Sequence, residues 1–322
     1  MFKKLFNLFA IAFIAITITS CASNAILKEP ATLTKYDNEM FWEINATDKN
    51  GEPSKIYVLG TIHAADDRLY PISENIVEAF INADALYGEI STEDNNKILQ
   101  ETMSRQMESN KRELARIEET GKKYSDYLTE DQKALAAALL GGPQGLAQME
   151  MFEPWVLNTV LTTVPMAASG LDPMKSLDMV LAQQAASEGR TVLGLDTLET
   201  QFAIIEYGDW ETQLFMLQEA LDDILENQTD SGKDIKELYE VYLTGDEGKM
   251  EDVMSEQLSK DTSEIAEKYN YMVFTERNTD WANKFANMLN EGGTTFIFAG
   301  CGHFVGDDSV FAHMAEINCL DY

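Results

Sequence analysis

Two segments of this chain carry the same pattern: an apolar strand, then glycine, two residues and histidine. It occurs at Ile56 to His63 and again at Phe296 to His303, with 240 residues between the histidines. The chain has three histidines, two of them in this context; the third, His313, falls inside the last predicted helix. Ligands in α/β folds gather at the carboxyl ends of strands, where a glycine lets backbone and substrate approach closely. The echo therefore suggests two half-sheets, one from each end of the chain, brought together in space. It constrains the fold to α/β: a mixed sheet with two strand-GxxH motifs from the N- and C-terminal parts and a large helical middle section.

Local signals fill in that outline. Phe41 to Thr47 and Lys55 to Leu59 read as a β-hairpin around Asn50 and Gly51. Ser73 is a natural N-cap for a helix with Ile76, Phe80 and Ile81 on one face, and Ala85 to Ile90 returns as a strand. Helical periodicity follows over Asn95 to Gly121, from Thr129 to Gly141, over Pro154 to Ala168, Ser176 to Ser187 and Thr197 to Tyr207. It continues over Trp210 to Asn227, Asp234 to Tyr242, Ser263 to Asn290 and Ser309 to Glu316. Arg190 to Leu195 and Thr294 to Ala299 are the strands among them. No linker or repeat divides this stretch, so residues 40–322 are expected to form a single domain with a helical insertion.

The first residues read as an address. Lys3 and Lys4 precede an apolar stretch from Leu5 to Ile16, too short for a comfortable membrane span. It ends in Ile18, Thr19, Ser20, Cys21, which resembles a bacterial lipobox. Residues 1–20 are thus expected to be a lipoprotein signal peptide and residues 21–39 a lipidated Cys21 with a tether. The lipid bilayer becomes a partner through that cysteine, and the domain is lipid-anchored in the cell envelope. Ala22 and Ser23 after the cysteine favour the outer membrane facing the periplasm. In such an oxidising compartment Cys301 and Cys319 can either form a disulfide or stay as two buried thiols. With 55 acidic against 24 basic residues and a net charge of −31, the chain repels phosphate backbones, so no nucleic-acid partner is expected.

Neutral imidazole is a common metal ligand and also the side chain suited to proton transfer near neutral pH, so His63 and His303 allow either use. Glu89 closes the strand that follows the first motif in sequence, which makes it the best-placed acid. A zincin HExxH helix, a phosphate loop, a GxSxG elbow and a paired CxxC are all missing from the sequence.

The residues Tyr57 to His63, Pro71 and Glu89 resemble the opening of the TraB/GumN family, which is related to the Tiki metalloproteases. Similarity continues through Glu153, Pro154, Trp155, through Ser176 to Asp178, and through Gly194 to Gln201. It is most specific in the closing block, Glu276, Arg277, Asn278 with Trp281, then Phe296 to Gly300 and Gly302 to Gly306. Cys301, Ser176 and Asp196 stand where the family pattern has alanine, glycine and glutamate. The resemblance implies His63 and His303 as metal ligands, with Glu89 as third ligand or general base, around a divalent transition metal (Zn, Mn or Co). It implies Glu276 as a further catalytic acid, and Arg277 and Asn278 as substrate-binding groups, with a structural ion-pair and helix-capping role as the alternative. Asp178 and Glu199 read as cap or surface carboxylates. The leading expectation is a metal-dependent hydrolase acting on a peptide substrate. The alternatives are a non-catalytic envelope accessory or binding lipoprotein, for example in polysaccharide export, and a metal-free His/Glu hydrolase.

Overall fold

A computed structural model describes residues 27–226, 232–258 and 263–322. The expected signal peptide and Cys21 lie outside the described residues, as does Asn227 at the expected end of one helix. Among the described residues no helix is long and apolar enough to cross a membrane.

Seven strands form one mixed sheet: β1 (Ala31–Lys35), β2 (Phe41–Thr47), β3 (Pro53–Thr61), β4 (Ala85–Gly88), β5 (Val192–Gly194), β6 (Gly293–Gly300) and β7 (Leu320–Asp321). Their order is β5-β4-β6-β3-β2-β1-β7. The hairpin β2–β3 is antiparallel, whereas β3, β6, β4 and β5 run parallel to one another. The two motif strands lie side by side with Gly60 opposite Ala299 and Thr61 opposite Gly300. Both histidine loops therefore leave the same end of the sheet, as the paired motif predicts.

β6 is buried continuously from Thr295 to Ala299 because both sheet faces are covered, the environment that selects an unbroken apolar run. On β2, the neighbours Phe41 and Trp42 point to opposite faces. Phe41 packs near Phe296, which Phe80 of the helix Glu74–Asn82 meets edge-on, while Trp42 packs near Phe304 and Phe311. The helix Arg277–Glu291 buries Trp281, Phe285 and Leu289 and packs on β2 and β3. Between β4 and β6 the helical section has a second core around Tyr124, Leu146, Leu157, Leu161, Leu217 and Leu221.

Four expectations change. Ala31–Lys35 is a strand rather than tether: its alternating threonines pair with β2, and Leu27 and Ala31 are buried. Ile81 is exposed, and Ala79 joins Ile76 and Phe80 on the buried face instead. The single helix expected over Ser263 to Asn290 is Glu264–Asn270, a π-turn Tyr271–Glu276 and Arg277–Glu291. An additional helix, Glu247–Leu258, lies where the sequence signals none. Of the two readings of the cysteines, buried thiols hold: Cys301 and Cys319 are both buried and no disulfide joins them to each other. Cys319 pairs by its carbonyl with Ala31 on β1, at the opposite end of the sheet from Cys301 and three strands away. That lateral offset alone is about 14 Å, beyond disulfide reach.

Candidate functional site

β3 and β4 are consecutive in the chain, yet β6 lies between them. Such a reversal opens a crevice beyond the carboxyl ends of the strands, and here β3, β6 and β4 end at Thr61, Gly300 and Gly88. The loops that follow deliver His63, His303 and Glu89 into a pocket of about 230 Å³. Gly60 is required by contact: a Cβ there would lie 2.9 Å from the Cβ of Cys301 and 3.2 Å from Trp42. Gly300 marks the focus of the site. A Cβ on it would sit 3.3 Å from Glu89 Oε1, 3.7 Å from His63 Nε2 and 3.8 Å from His303 Cδ2.

Arg277 ties the buried side of this cluster together. Its Nε donates to Asp196 Oδ2 at 2.8 Å, its Nη2 to Glu89 Oε2 at 2.7 Å, and its Nη1 reaches His303 Nε2 at 3.1 Å and the Val273 carbonyl at 3.2 Å. Trp281, one helical turn on, donates its Nε1 to the other oxygen of Asp196 at 2.7 Å. Residues i and i+4 of a helix share a face, so one buried carboxylate holds both. Asn278 donates Nδ2 to the Asp308 carbonyl, which leaves its Oδ1 to accept from His303 Nδ1 at 2.6 Å. His303 is thereby fixed as the neutral Nδ1–H tautomer with Nε2 accepting from Arg277. Burial first, and Arg277 second, lower its pKa to about 3.

Burial alone would lift the Glu89 carboxyl, but the positive fields of His303, Arg277 and His63 and the Gly300 N–H at 3.0 Å outweigh it and lower the pKa to about 2. His303 is neutral above its own depressed pKa. Arg277 is therefore the permanent cation that keeps Glu89 ionised at pH 7.

His63 is the open member. It is surrounded by protein on the pocket floor, yet its side chain is 69% exposed through the mouth. Its Nδ1 faces Asp178 Oδ2 at 3.4 Å, and Asp178 Oδ1 accepts from the Thr61 hydroxyl at 2.6 Å. The Oδ2 atom has no other donor and is buried, so Nδ1–H of His63 is its natural partner, though the contact is long for a full hydrogen bond. Asp178 raises the His63 pKa to about 9 against the opposing effect of burial. Nε2 is left directed at the space by Gly300.

The structure thus brings His63, His303, Glu89, Arg277 and Asn278 together. Glu276 is not among them: it is exposed at the end of the π-turn and lines neither the pocket nor the groove beside it. Arg277 and Asn278 spend their polar atoms on protein partners, so they position the site. Glu199 pairs with Arg105 on the surface. Asp178 does lie in the first turn of the helix Leu177–Ser187, as a cap reading predicts, but it also backs His63. Asp196 is the residue that sequence reasoning missed as a site member; its position in the Gly194 to Gln201 block, as a departure from glutamate, was the available signal. Cys301 is buried at the pocket wall with its thiol pKa pushed up to about 12 by burial, which makes it a poor ligand or nucleophile.

A catalytic ion is usually held by three protein donors with one position open. Only two donors face this space with a lone pair to offer, His63 Nε2 once deprotonated and Glu89 Oε1, which also accepts the Gly300 N–H. His303 has committed both nitrogens, and the Arg277 guanidinium places a positive charge against the same space. As arranged, these residues do not fit a three-ligand ion, and the described residues contain no group of three His, Cys, Asp or Glu poised to hold one.

The architecture defines a class: a mixed α/β protein in which two GxxH loops and one glutamate meet at the strand ends around a buried arginine. The chain belongs to the TraB/PrgY/gumN family, whose model matches residues 40–318. It is 26% identical over 305 residues to an uncharacterized protein of Treponema pallidum (strain Nichols), a match covering 94% of this chain and 87% of that relative. No solved structure matches significantly.

Proposed function

We propose that the protein is a hydrolase of peptide bonds with His63 and Glu89 as its working pair. The observation that carries this reading is the convergence of the unpartnered His63 Nε2 and of Glu89 Oε1, which the Gly300 N–H holds in place, on the bare Cα of Gly300, in an open pocket, with Asp178 behind the imidazole. A scissile carbonyl bound beside Gly300 would lie within reach of both groups. Glu89, held ionised by Arg277, accepts a hydrogen bond from the attacking water and orients it. His63 is charged at neutral pH and donates its Nε2 proton to the departing nitrogen. Water adds across the C–N bond; its hydroxyl goes to the acyl carbon, and its remaining proton returns to His63 through solvent. Turnover then falls as pH rises through about 9, where the imidazolium is lost.

A divalent ion is a second reading, favoured by the same two convergent donors; it requires Arg277 to release His303. Location in the envelope, with lipid on Cys21 and the domain facing the periplasm from the outer membrane, rests on Lys3, Lys4, the Leu5 to Ile16 stretch and the lipobox-like Ile18 to Cys21.

The test uses the chain from Ala22 onward, purified without chelator or histidine tag and assayed on a peptide library by mass spectrometry. Cleavage that is lost in both His63→Ala and Glu89→Gln and survives chelator supports the metal-free pair. Bound metal near one equivalent, lost in the His63→Ala, His303→Ala double variant, selects the ion. Absence of any cleavage by metal-replete protein, with normal complementation by the histidine variants, refutes hydrolysis and leaves the accessory role.

A further inference from the structure

We propose that the groove beside the site is its substrate track, and that it takes an extended peptide in which a large apolar side chain is flanked by lysine or arginine. This inference rests on the hydrolase reading for its biological sense, but its own observations are separate. The groove has a volume of about 540 Å³ and adjoins the His63/Glu89 pocket, sharing Met254, Phe274 and Gly302 with it. That volume lies within the usual range of ligand clefts, and its continuity with the pocket lets a chain bound in it reach the His63/Glu89 pair.

Its floor is apolar, with Met254, Leu258, Phe274 and Val305 contributing. Gly302 belongs to the same surface, because a Cβ on it would run into the thioether of Met254. An unbranched thioether beside an aromatic ring accommodates apolar side chains of varied shape. The rim is anionic: Glu251, Glu267 and Asp307 border the groove, and no lysine or arginine among the described residues lines it. Many acids elsewhere on the chain are paired, for example Glu153 with Arg112 and Asp66 with Arg68. The three rim carboxylates form no salt bridge among the described residues. Glu251 also lies against the loop that carries His303: a Cβ on Gly306 would be 3.3 Å from its Oε1. A cationic side chain bound at Glu251 is thus placed next to the reacting pocket. Charge complementarity of this kind sets partner choice and encounter rate.

The experiment measures binding and cleavage separately. Fluorescein-labelled alanine heptapeptides with Lys-Phe-Lys, Glu-Phe-Glu or Lys-Ala-Lys at the centre are titrated with the chain from Ala22 onward, at 50 mM and 300 mM salt by design. Fluorescence anisotropy reads binding, and mass spectrometry of the same samples reads cleavage. The Lys-Phe-Lys peptide is expected to bind at least about tenfold tighter than either twin, more weakly at high salt, and about tenfold more weakly to the Glu251→Lys, Asp307→Lys double variant. Equal affinities for the Lys and Glu peptides, no binding, or indifference to the double variant would overturn the proposal. Charge-dependent binding of a peptide that stays intact would instead retain the groove and refute the hydrolase. His63-dependent cleavage that ignores the rim charges would do the reverse.

Discussion

Replacing Arg277 with methionine keeps the aliphatic length of the side chain and removes the cation shared by Asp196, Glu89 and His303. Breaking a buried ion pair by deleting one partner costs about 3–5 kcal/mol, because the other charge is left uncompensated. Here two carboxylates lose a partner, but each keeps other donors: Trp281 and Gln201 on Asp196, the Gly300 N–H on Glu89. The lower half of that range, about 3–4 kcal/mol, is expected, and a chain of this length then melts about 6–8 °C lower. The cost must also depend on pH. In the native protein the Glu89 pKa is depressed to about 2, so its stabilisation is present above the unfolded value of 4.5 and is lost as pH falls toward 2. Without Arg277 the depression of that carboxyl is weakened, so the variant loses less stability than the native protein as pH falls. The gap between the two proteins therefore narrows from pH 7.5 to pH 5, the lower limit staying above the pI of about 4.3. Urea unfolding followed by tryptophan fluorescence measures it, since Trp281 is part of the network. A gap under about 1 kcal/mol at pH 7.5, or one that widens toward pH 5, would refute the assignment of Arg277 as the cation that holds Glu89 ionised.

Other perturbations probe the remaining parts. The raised His63 pKa contributes stability that is complete below 6.5 and lost as pH rises through about 9; Asp178→Asn should flatten that loss and bring the imidazole titration, read by NMR at its ring carbon, back toward 6.5. Gly60→Ala forces a methyl against the Cys301 backbone and Trp42, where neither can withdraw, and should cost about 1–3 kcal/mol in denaturant unfolding. With Cys301 and Cys319 buried as thiols that do not pair with each other, the chain from Ala22 onward should react with a thiol reagent only after unfolding, and without reductant. One disulfide in place of two thiols would contradict the placement of these residues at opposite ends of the sheet.

Much of the fold was legible because it depends on near neighbours in the chain. The β2–β3 hairpin follows from alternation around Asn50 and Gly51, and the helix after Ser73 from a cap and a period of three to four residues. The apolar run of β6 declared a strand covered on both faces. The two GxxH segments went further, since one repeated local pattern pointed to a shared sheet edge. Family membership followed from motif blocks distributed over the body. Less legible were elements whose signal is weak alone, such as β1, whose threonines become a strand only when β2 offers an edge.

The site divides along the same line. That His63, His303 and Glu89 should meet was readable, because each directly follows a strand and the strands share a sheet. Their chemical states were not, since a pKa or a free lone pair depends on groups brought in from distant parts of the chain. Arg277 arrives from a helix 188 residues after Glu89 in sequence and takes the lone pair of His303, while Asp196 and Asp178 arrive from the helical middle. Glu276, adjacent to Arg277 in sequence, is exposed because neighbouring residues of a helix point in different directions. Sequence determines which side chains follow which strand; only tertiary packing decides which of them face one another, and at a few ångströms in a low-dielectric interior that proximity controls charge, tautomer and the donors left for chemistry.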